Sequence, residues 1–459
     1  MNETIDRDSV VPRGTRNAFL LRASALLGLA VLACRGDDRT QTSASAAARD
    51  MPAAWNERLI GVASAEDGLL TLKGVRSAAM MNVAMHDALN AVVRVYASYE
   101  YEATDRAADP IAAAAQAAYR VSISQYPDAR AGFDVELDRW LMKVPDGAAR
   151  SRGIALGDAV AAALLRARED DGWSTQVSYE PRAPTPGVYV EFPEHSGTPP
   201  GFVFGTGFGR ARPFLLERPD QFRPPPPPAI ESHAYAEAFN EVAELGRSDS
   251  PTRSADQTHI AFFWKEFAES SINRLAREFS RERSLELWEA ARLFALIDAG
   301  IFDGYVSSFE GKFFYNHWRP YTAIHAADSD GNAATAADTS WDNTHHHTYP
   351  FPSYPSAHGT VCAAGLGALA DVFGDELAFT MTTPRVTSGG PLSELVDLSP
   401  PTRSFESFSD AARECALSRV YLGIHFRYDS EAGQALGERI GELAAARFGR
   451  VLSPALRAP

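Results

Sequence analysis

Cysteine is scarce in this chain, with three residues in 459, at positions 34, 362 and 415. Positive charge is in deficit: 44 Lys and Arg face 59 Asp and Glu, a formal net charge of −15. That balance argues against a nucleic-acid binder and for a soluble protein. Long apolar runs are lacking after residue 33, so nothing in the body of the chain reads as a membrane span. β-Branched residues are thin in the apolar stretches, which are rich in Ala and Leu, and this favours helix. No internal repeat recurs at a fixed period. What the chain does have is core. Hydrophobic residues make up 45% of it, enough for a large interior, and the length alone allows two to four domains.

The first residues read as a leader rather than as fold. Arg7, Arg13, Arg16 and Arg22 precede an apolar run from Ala23 to Ala33, eleven residues that are too few to span a bilayer. The run ends Val31-Leu32-Ala33-Cys34, like a bacterial lipobox. Residues 1–34 are therefore expected to be a signal peptide whose lipidated Cys34 becomes the mature N-terminus; an ordinary cleaved signal and an uncleaved anchor stay open. The expected location is periplasmic or cell-surface. Residues 35–54 read as a flexible tether, 55–450 as one large α-helical domain, and 451–459 as a tail.

Within that domain the pattern predicts helices over 76–94, 110–125, 128–142, 149–168, 232–245, 254–279, 284–308, 356–372, 409–426 and 430–448. Pro110 opens its helix at the favoured first turn. From 172 to 231 the texture changes, with crowded prolines that end in a run from Pro224 to Pro228. The segment is irregular but too apolar for a disordered linker, and is expected to wrap over the helices and shape a channel. Loops are expected over 328–355 and 387–403.

Three stretches between 298 and 430 carry chemistry. They are Lys312-Phe-Phe-Tyr-Asn-His-Trp-Arg319-Pro320, Pro355-Ser356-Ala357-His358, and Ser418-Arg419-Val-Tyr-Leu-Gly-Ile-His425-Phe-Arg-Tyr-Asp429. Together they offer three permanent cations, a hydroxyl, two histidines and a carboxylate. Such a set can hold a tetrahedral oxyanion, Arg through its planar fork and Lys as a point charge. Ser356 would cap a helix whose N-terminus favours an anion. One histidine can bond to the central atom while the other moves protons. Lys312 and Arg319, seven apart, can share one helix face, and Asp429, four after His425, can orient its ring if that stretch is helical. Taken singly, each piece is ordinary: a solvated helix face, a loop, a core histidine.

In this order and spacing, the three stretches resemble the signature of the vanadium-dependent haloperoxidases, which share a pocket with the phosphatidic acid phosphatase type 2 superfamily. The blocks Ala79-Met-Met-Asn-Val-Ala-Met-His-Asp-Ala-Leu-Asn90, Phe263-Trp264 and the run from Asp298 to Trp318 look like those of bacterial members. The similarity extends from about residue 55 to 450. It implies an all-α helical-bundle core with long irregular loops, and a vanadate cofactor. Lys312, Arg319 and Arg419 would hold its equatorial oxygens, and Ser356 and the amide of residue 357 would donate to it. His425 would be the axial ligand to vanadium, Asp429 its support, and His358 the acid–base group. Phe351 and Phe309 fall where the family's halide-selective residues sit; plain core packing is the other reading. The chain departs from the pattern in having Ala357 where the family usually has Gly.

The implied partners are hydrogen peroxide, a halide and a small organic acceptor, with no nucleic acid and membrane contact only through the lipid anchor; a homodimer is compatible with the sequence. Because vanadate and phosphate are close isosteres, a phosphoester hydrolase with His425 as nucleophile shares the same motifs. A surface lipoprotein that binds an anion without catalysis is a third reading. Length and the aromatic residues before Arg319 favour the haloperoxidase. Other features read more plainly. His345, His346 and His347 are expected on a loop surface, with channel lining as the alternative. Asp328-Ser-Asp-Gly331 is expected to be a turn rather than a calcium loop, lacking the downstream Glu. Glu266 is a candidate partner for Arg319, or a surface carboxylate. Cys362 and Cys415 pair across two helices or remain free thiols.

Overall fold

The computed structural model describes residues 48–67, 71–383, 385–387 and 395–451. The expected signal peptide with Cys34, most of the tether and residues 452–459 of the tail lie outside them. Five helices come first: α1 (Met51–Asp67), α2 (Leu72–Val92), α3 (Pro110–Gln125), α4 (Arg130–Leu141) and α5 (Ala148–Ala167). Helix α1 starts before the expected domain boundary at 55, because Ala48, Met51 and Ala53 are themselves core residues with no exposed surface. Asp109 caps α3 by accepting from the Ala112 N–H, with Pro110 at the first turn.

Residues 168–232 contain a single helical turn at Pro193–Ser196 and a 3-10 turn at Phe208–Arg210. The segment is pinned rather than loose. The Asp303 carboxylate accepts the backbone N–H groups of Phe214, Leu215 and Leu216 at 2.6, 2.7 and 2.8 Å. The Tyr315 and Tyr354 hydroxyls donate to the carbonyls of Pro224 and Pro225. Gly205 has φ +73°, and a Cβ there would come within 2.2 Å of the Phe309 ring, so glycine is required.

The second half holds α6 (His233–Leu245), α7 (Ala255–Phe263), α8 (Ala268–Glu282), α9 (Leu287–Tyr315), α10 (Pro320–Ala326), α11 (Ala357–Phe373), α12 (Phe408–Tyr421) and α13 (Arg427–Arg447). Two short antiparallel pairs lie between α11 and α12. Strand β1 (Phe379–Thr382) pairs with β4 (Thr402–Phe405), and β2 (Arg385–Thr387) pairs with β3 (Leu395–Asp397). Strand β3, the end of β2 and the start of β4 fall within the expected loop at 387–403. Among the described residues no helix is long and apolar enough to cross a membrane. The expected helix over 254–279 is two helices, broken at 264–267. Helix α9 is 29 residues long and mostly buried, and packs against α2 and α11.

Helices α11 and α13 cross closely. Along one face of α13, Gly433 and Gly437 lie against the backbone of α11, where added Cβ atoms would approach the carbonyl oxygens of Ser356 and Thr360 to 2.3 and 2.1 Å. Gly437→Ala is expected to force the helices apart and to lower the stability by about 1–3 kcal/mol. Chemical denaturation checks this; an unchanged midpoint would mean that the crossing is not tight.

Candidate active site

The three motif stretches meet at the N-termini of α11 and α13, but not in the local geometry expected. Lys312 and Arg319 do not share a helix. Helix α9 ends at Tyr315, Asn316 takes the left-handed conformation at φ 54°, and Arg319 is the N-cap before Pro320. The two side chains converge because the chain turns. His425 likewise sits in the turn between α12 and α13, while Asp429 occupies the first turn of α13. The two still meet: His425 Nδ1 lies 2.9 Å from Asp429 Oδ2.

Asp429 has further partners. Its Oδ2 accepts from the Phe426 N–H at 3.1 Å and from the Ser353 hydroxyl, which also lies 3.2 Å from His425 Nδ1. Arg319 Nη1 stands 3.1 Å from His425 Nε2. A guanidinium only donates, so Nε2 holds a lone pair and Nδ1 carries the proton given to Asp429. That tautomer suits a ligand or nucleophile at Nε2. Burial, followed by Arg319, Lys312 and Arg419, holds His425 well below the imidazole range.

The cations are held mostly by carbonyls. Lys312 Nζ donates to the carbonyls of Pro352, Ser353 and Pro355 at 3.1, 2.7 and 2.6 Å. Burial and then Arg319 push its pKa down, with Asp429 opposing. Three acceptors match the three N–H bonds of an ammonium, and we read Lys312 as charged. Arg319 donates to the carbonyls of Phe351 and Ile424, both at 2.8 Å. Arg419 donates to the Trp264 carbonyl and, at 3.1 Å, to the Ser418 hydroxyl. Burial lowers both arginines to about 10. Glu266, the candidate partner of Arg319, instead takes both its oxygens to Arg274, at 2.7 and 2.6 Å.

His358 bonds through its ring to the backbone of Trp264, and burial, then Arg419, holds it well below the usual range. Ser356 caps α11, accepting the Gly359 N–H at 3.3 Å. Ala357 is the first helical residue and is not among the positive-φ positions, so the methyl group causes no backbone strain there. Cys362, one turn after His358, is disulfide-bonded to Cys415, one turn before Arg419, and so ties α11 to α12.

These groups border a cavity of about 490 Å3. Ala357, His358, Arg419 and His425 line it; Lys312, Arg319 and Ser356 stand behind the wall. Phe351 and Phe309 also line it, their rings 5.1 Å apart, and Phe351 lies 4.7 Å from the Arg319 guanidinium and 5.2 Å from Lys312 Nζ. The wrapping segment supplies Ser196, Phe204 and Phe208. The histidine run divides, against the expected loop surface: His345 is buried, His346 exposed, and His347 lines the cavity. Ser353 and the Trp264 carbonyl were not singled out from the sequence. Ser353 had a signal, its place between two prolines; a carbonyl leaves none.

Residues 292–454 match the family model of the VCPO second helical-bundle domain. The matched residues include all three motif stretches, so the similarity reaches the candidate site itself. It is 25% identical over 381 residues to the vanadium chloroperoxidase of Curvularia inaequalis, across 67% of this chain and 61% of that protein. The chain thus spans about 61% of that relative's length. In fold it resembles a bacterial vanadium-dependent iodoperoxidase, with TM-score 0.71 and 24% identity over 88% of this chain and 98% of that one. It also resembles a holo-type bacterial vanadium-dependent chloroperoxidase, with TM-score 0.60 and 18% identity over 81% and 90%.

The residues present suit an oxyanion such as vanadate. Arg319 Nη2 and His358 Nε2 are buried without a hydrogen-bond partner among the described residues. A buried guanidinium N–H left in this way costs about 1–3 kcal/mol or more. The cations that hold down His358 and His425 would be offset by a bound anion, so proton uptake should accompany binding. Sulfate, whose charge is fixed in this range, is therefore expected to bind more tightly as pH falls from 8 to 5, with a shallower dependence in His358→Ala. Calorimetric titration at several pH values tests this; affinity independent of pH in the wild type would contradict it.

Proposed function

We propose that this protein is a vanadate-dependent haloperoxidase that oxidises halide with hydrogen peroxide. The observation that carries the reading is the pair of partnerless buried nitrogens, Arg319 Nη2 and His358 Nε2, beside the Nε2 lone pair of His425. Arg319, Arg419, Lys312, Ser356 and the N-terminus of α11 would hold vanadate, with His425 Nε2 as ligand to vanadium. When bound, vanadate supplies a Lewis-acidic centre at which peroxide is activated without change of metal oxidation state. The reaction balances as halide plus hydrogen peroxide plus a proton giving hypohalous acid plus water. Halide loses two electrons and the O–O bond takes them.

The residues divide that work. Asp429 and Ser353 keep the His425 ring in the tautomer whose Nε2 faces Arg319. Neutral at pH 7, His358 has Nε2 available to accept a proton and return it. The phenylalanines exclude water, which strengthens the pull of the cations. Phe351 and Phe309 are the residues we propose to set which halides are oxidised, for a small organic acceptor to take up the product.

Bromination and phosphoester hydrolysis should be measured with and without vanadate, then repeated with chloride and iodide. Vanadate-dependent bromination is expected, and His358→Ala should lower turnover about 10²–10⁴-fold while affecting vanadate affinity less. Hydrolysis without bromination would establish the phosphatase reading instead.

We also propose that the protein is exported and held at the membrane by a lipidated Cys34. The Cys362–Cys415 disulfide supports an oxidising compartment. Mass spectrometry of the mature protein should find an acylated Cys34 at the N-terminus; an intact Met1 would end this proposal.

A further inference from the structure

One hydroxyl on the cavity wall leads away from the oxyanion cradle to a buried acid. Tyr305 lines the cavity, whose other titratable side chains are Lys265, His347, Tyr349, His358, Arg419 and His425. The Tyr305 hydroxyl lies 2.9 Å from Glu269 Oε2. Glu269 is the second residue of α8 and has no exposed surface. Its Oε1 is buried without a hydrogen-bond partner among the described residues. Neither the cradle, nor the His425 tautomer, nor the aromatic wall makes use of this pair.

A second buried carboxylate decides where the proton rests. Asp298 accepts three amide N–H bonds, from Asn82, Asn273 and Asn56 at 2.6, 2.8 and 3.2 Å. Donors in that number favour the ionised form, whereas Glu269 accepts one side-chain bond, from Tyr305. Of two carboxyl groups in one interior, the better solvated by donors takes the charge and the other keeps its proton. Burial raises both to about 7. At Glu269 its own backbone N–H and Tyr305 oppose that rise, while Glu266 and Asp298 add to it. Burial, then Glu269, holds Tyr305 well above the phenol range, with Tyr349 adding and Arg419 opposing. The phenol therefore stays protonated. It passes a proton to the cavity only by taking one from Glu269 in the same movement.

We propose that Glu269 and Tyr305 form a proton store for the cavity, which protonates the oxygen that leaves when peroxide is cleaved. The inference rests on the haloperoxidase reading for the reaction it serves. In that reaction halide gives two electrons to the peroxide O–O bond. The bond breaks, one oxygen joins the halogen, and the other needs a proton. It takes that proton from the Tyr305 hydroxyl, which is refilled from the Glu269 carboxyl. Glu269 is left ionised. The next hydrogen peroxide brings two protons, and one returns through Tyr305 to recharge it. The remaining proton in the overall sum comes from solvent. A store is useful here because Phe204, Phe208, Phe309 and Phe351 line the cavity and keep out the water that would otherwise carry protons. His358 takes one proton at a time, and hydrogen peroxide carries two.

Infrared difference spectra of vanadate-free protein read the store without turnover, and carbon-13 glutamate labelling separates Glu269 from Asp298. Wild type should show the carbonyl stretch of a protonated acid that titrates near pH 7 and is absent from Glu269→Gln. Because the Tyr305 hydroxyl favours the carboxylate, the midpoint should rise in Tyr305→Phe. In vanadate-loaded enzyme, bromination turnover at pH 7 should fall at least about tenfold in both variants, with the KM for bromide changed less than about threefold. Imidazole, a small diffusible acid, should restore most of that loss, which a merely structural role would not allow. Circular dichroism confirms the fold of each variant; where Glu269→Gln does not fold, Tyr305→Phe and the labelled wild type decide. A Glu269 ionised throughout pH 5 to 8, turnover of a folded variant equal to wild type, or a loss that imidazole does not restore would overturn the store. A wild type whose Glu269 titrates as expected, but which shows no peroxide-dependent bromination, would support the store and defeat the haloperoxidase reading.

Discussion

One buried carboxylate holds the three motif stretches together. Asp429 accepts from the Ser353 hydroxyl, the Phe426 N–H and the His425 ring through a single oxygen, and its backbone carbonyl accepts the Ser356 N–H at 2.9 Å. The loop before α11, the cap of α11, the histidine turn and the first turn of α13 therefore converge on one residue. Burial raises the Asp429 pKa, and the Ser353 hydroxyl, then Lys312 and Arg319, act to bring it back. A carboxylate at such depth is tolerable only while its partners stay in place. A shift in any one of the four segments removes a partner, so the site forms as a unit.

Around that carboxylate the charge does not close. Lys312 and Arg319 are buried near it and Arg419 is buried on the same cavity, and most of their hydrogen bonds go to backbone carbonyls. Carbonyl dipoles lower the cost of burying a cation but do not cancel its charge. The same imbalance appears in His358 and His425, both held well below the usual range with cations among the causes. A pocket arranged in this way favours an anion before any residue moves. Its rigidity comes from elsewhere: the disulfide between α11 and α12, the glycine face of α13 against α11, and the three amides that Asp303 gathers.

Helices were legible where local chemistry specifies them. Pro110 behind Asp109, and Ser232 and Ser254 as caps, mark starts that the structure keeps to within a residue or so. The misreadings lie where the site intervenes. The pattern over 254–279 looks like one helix, yet the chain breaks at 264–267, which leaves the Trp264 carbonyl to serve Arg419 and His358. Lys312 and Arg319 have helical spacing, but Asn316 in the left-handed region and Pro320 turn the chain between them. Glu266 looked available to Arg319 because sequence does not show that Arg274, eight residues on, reaches it first. The anchoring of the wrapping segment to Asp303 spans 87 to 89 residues, a separation that no local pattern reveals.

A protein of net charge −15 that keeps a cationic pocket must prevent its surface from neutralising it. Two unit charges 4 Å apart interact by roughly 1 kcal/mol in bulk water and roughly 4 kcal/mol at the effective dielectric near a protein surface. The aromatic wall sets which regime applies. Phe351 lies over Arg319 and Lys312, Phe309 packs on Phe351, and Phe208 packs on Phe309 with centroids 4.9 Å apart. Water is thereby displaced from the faces of the two cations, and exposed carboxylates farther off are screened within about a Debye length of 8–10 Å. Ala357 acts in the same sense, adding a methyl group to the cavity lining beside His358 without strain in its helical backbone. The aromatic wall and the buried cations therefore depend on each other: without the wall the charges would be solvated, and without the charges the wall would enclose only an apolar hole.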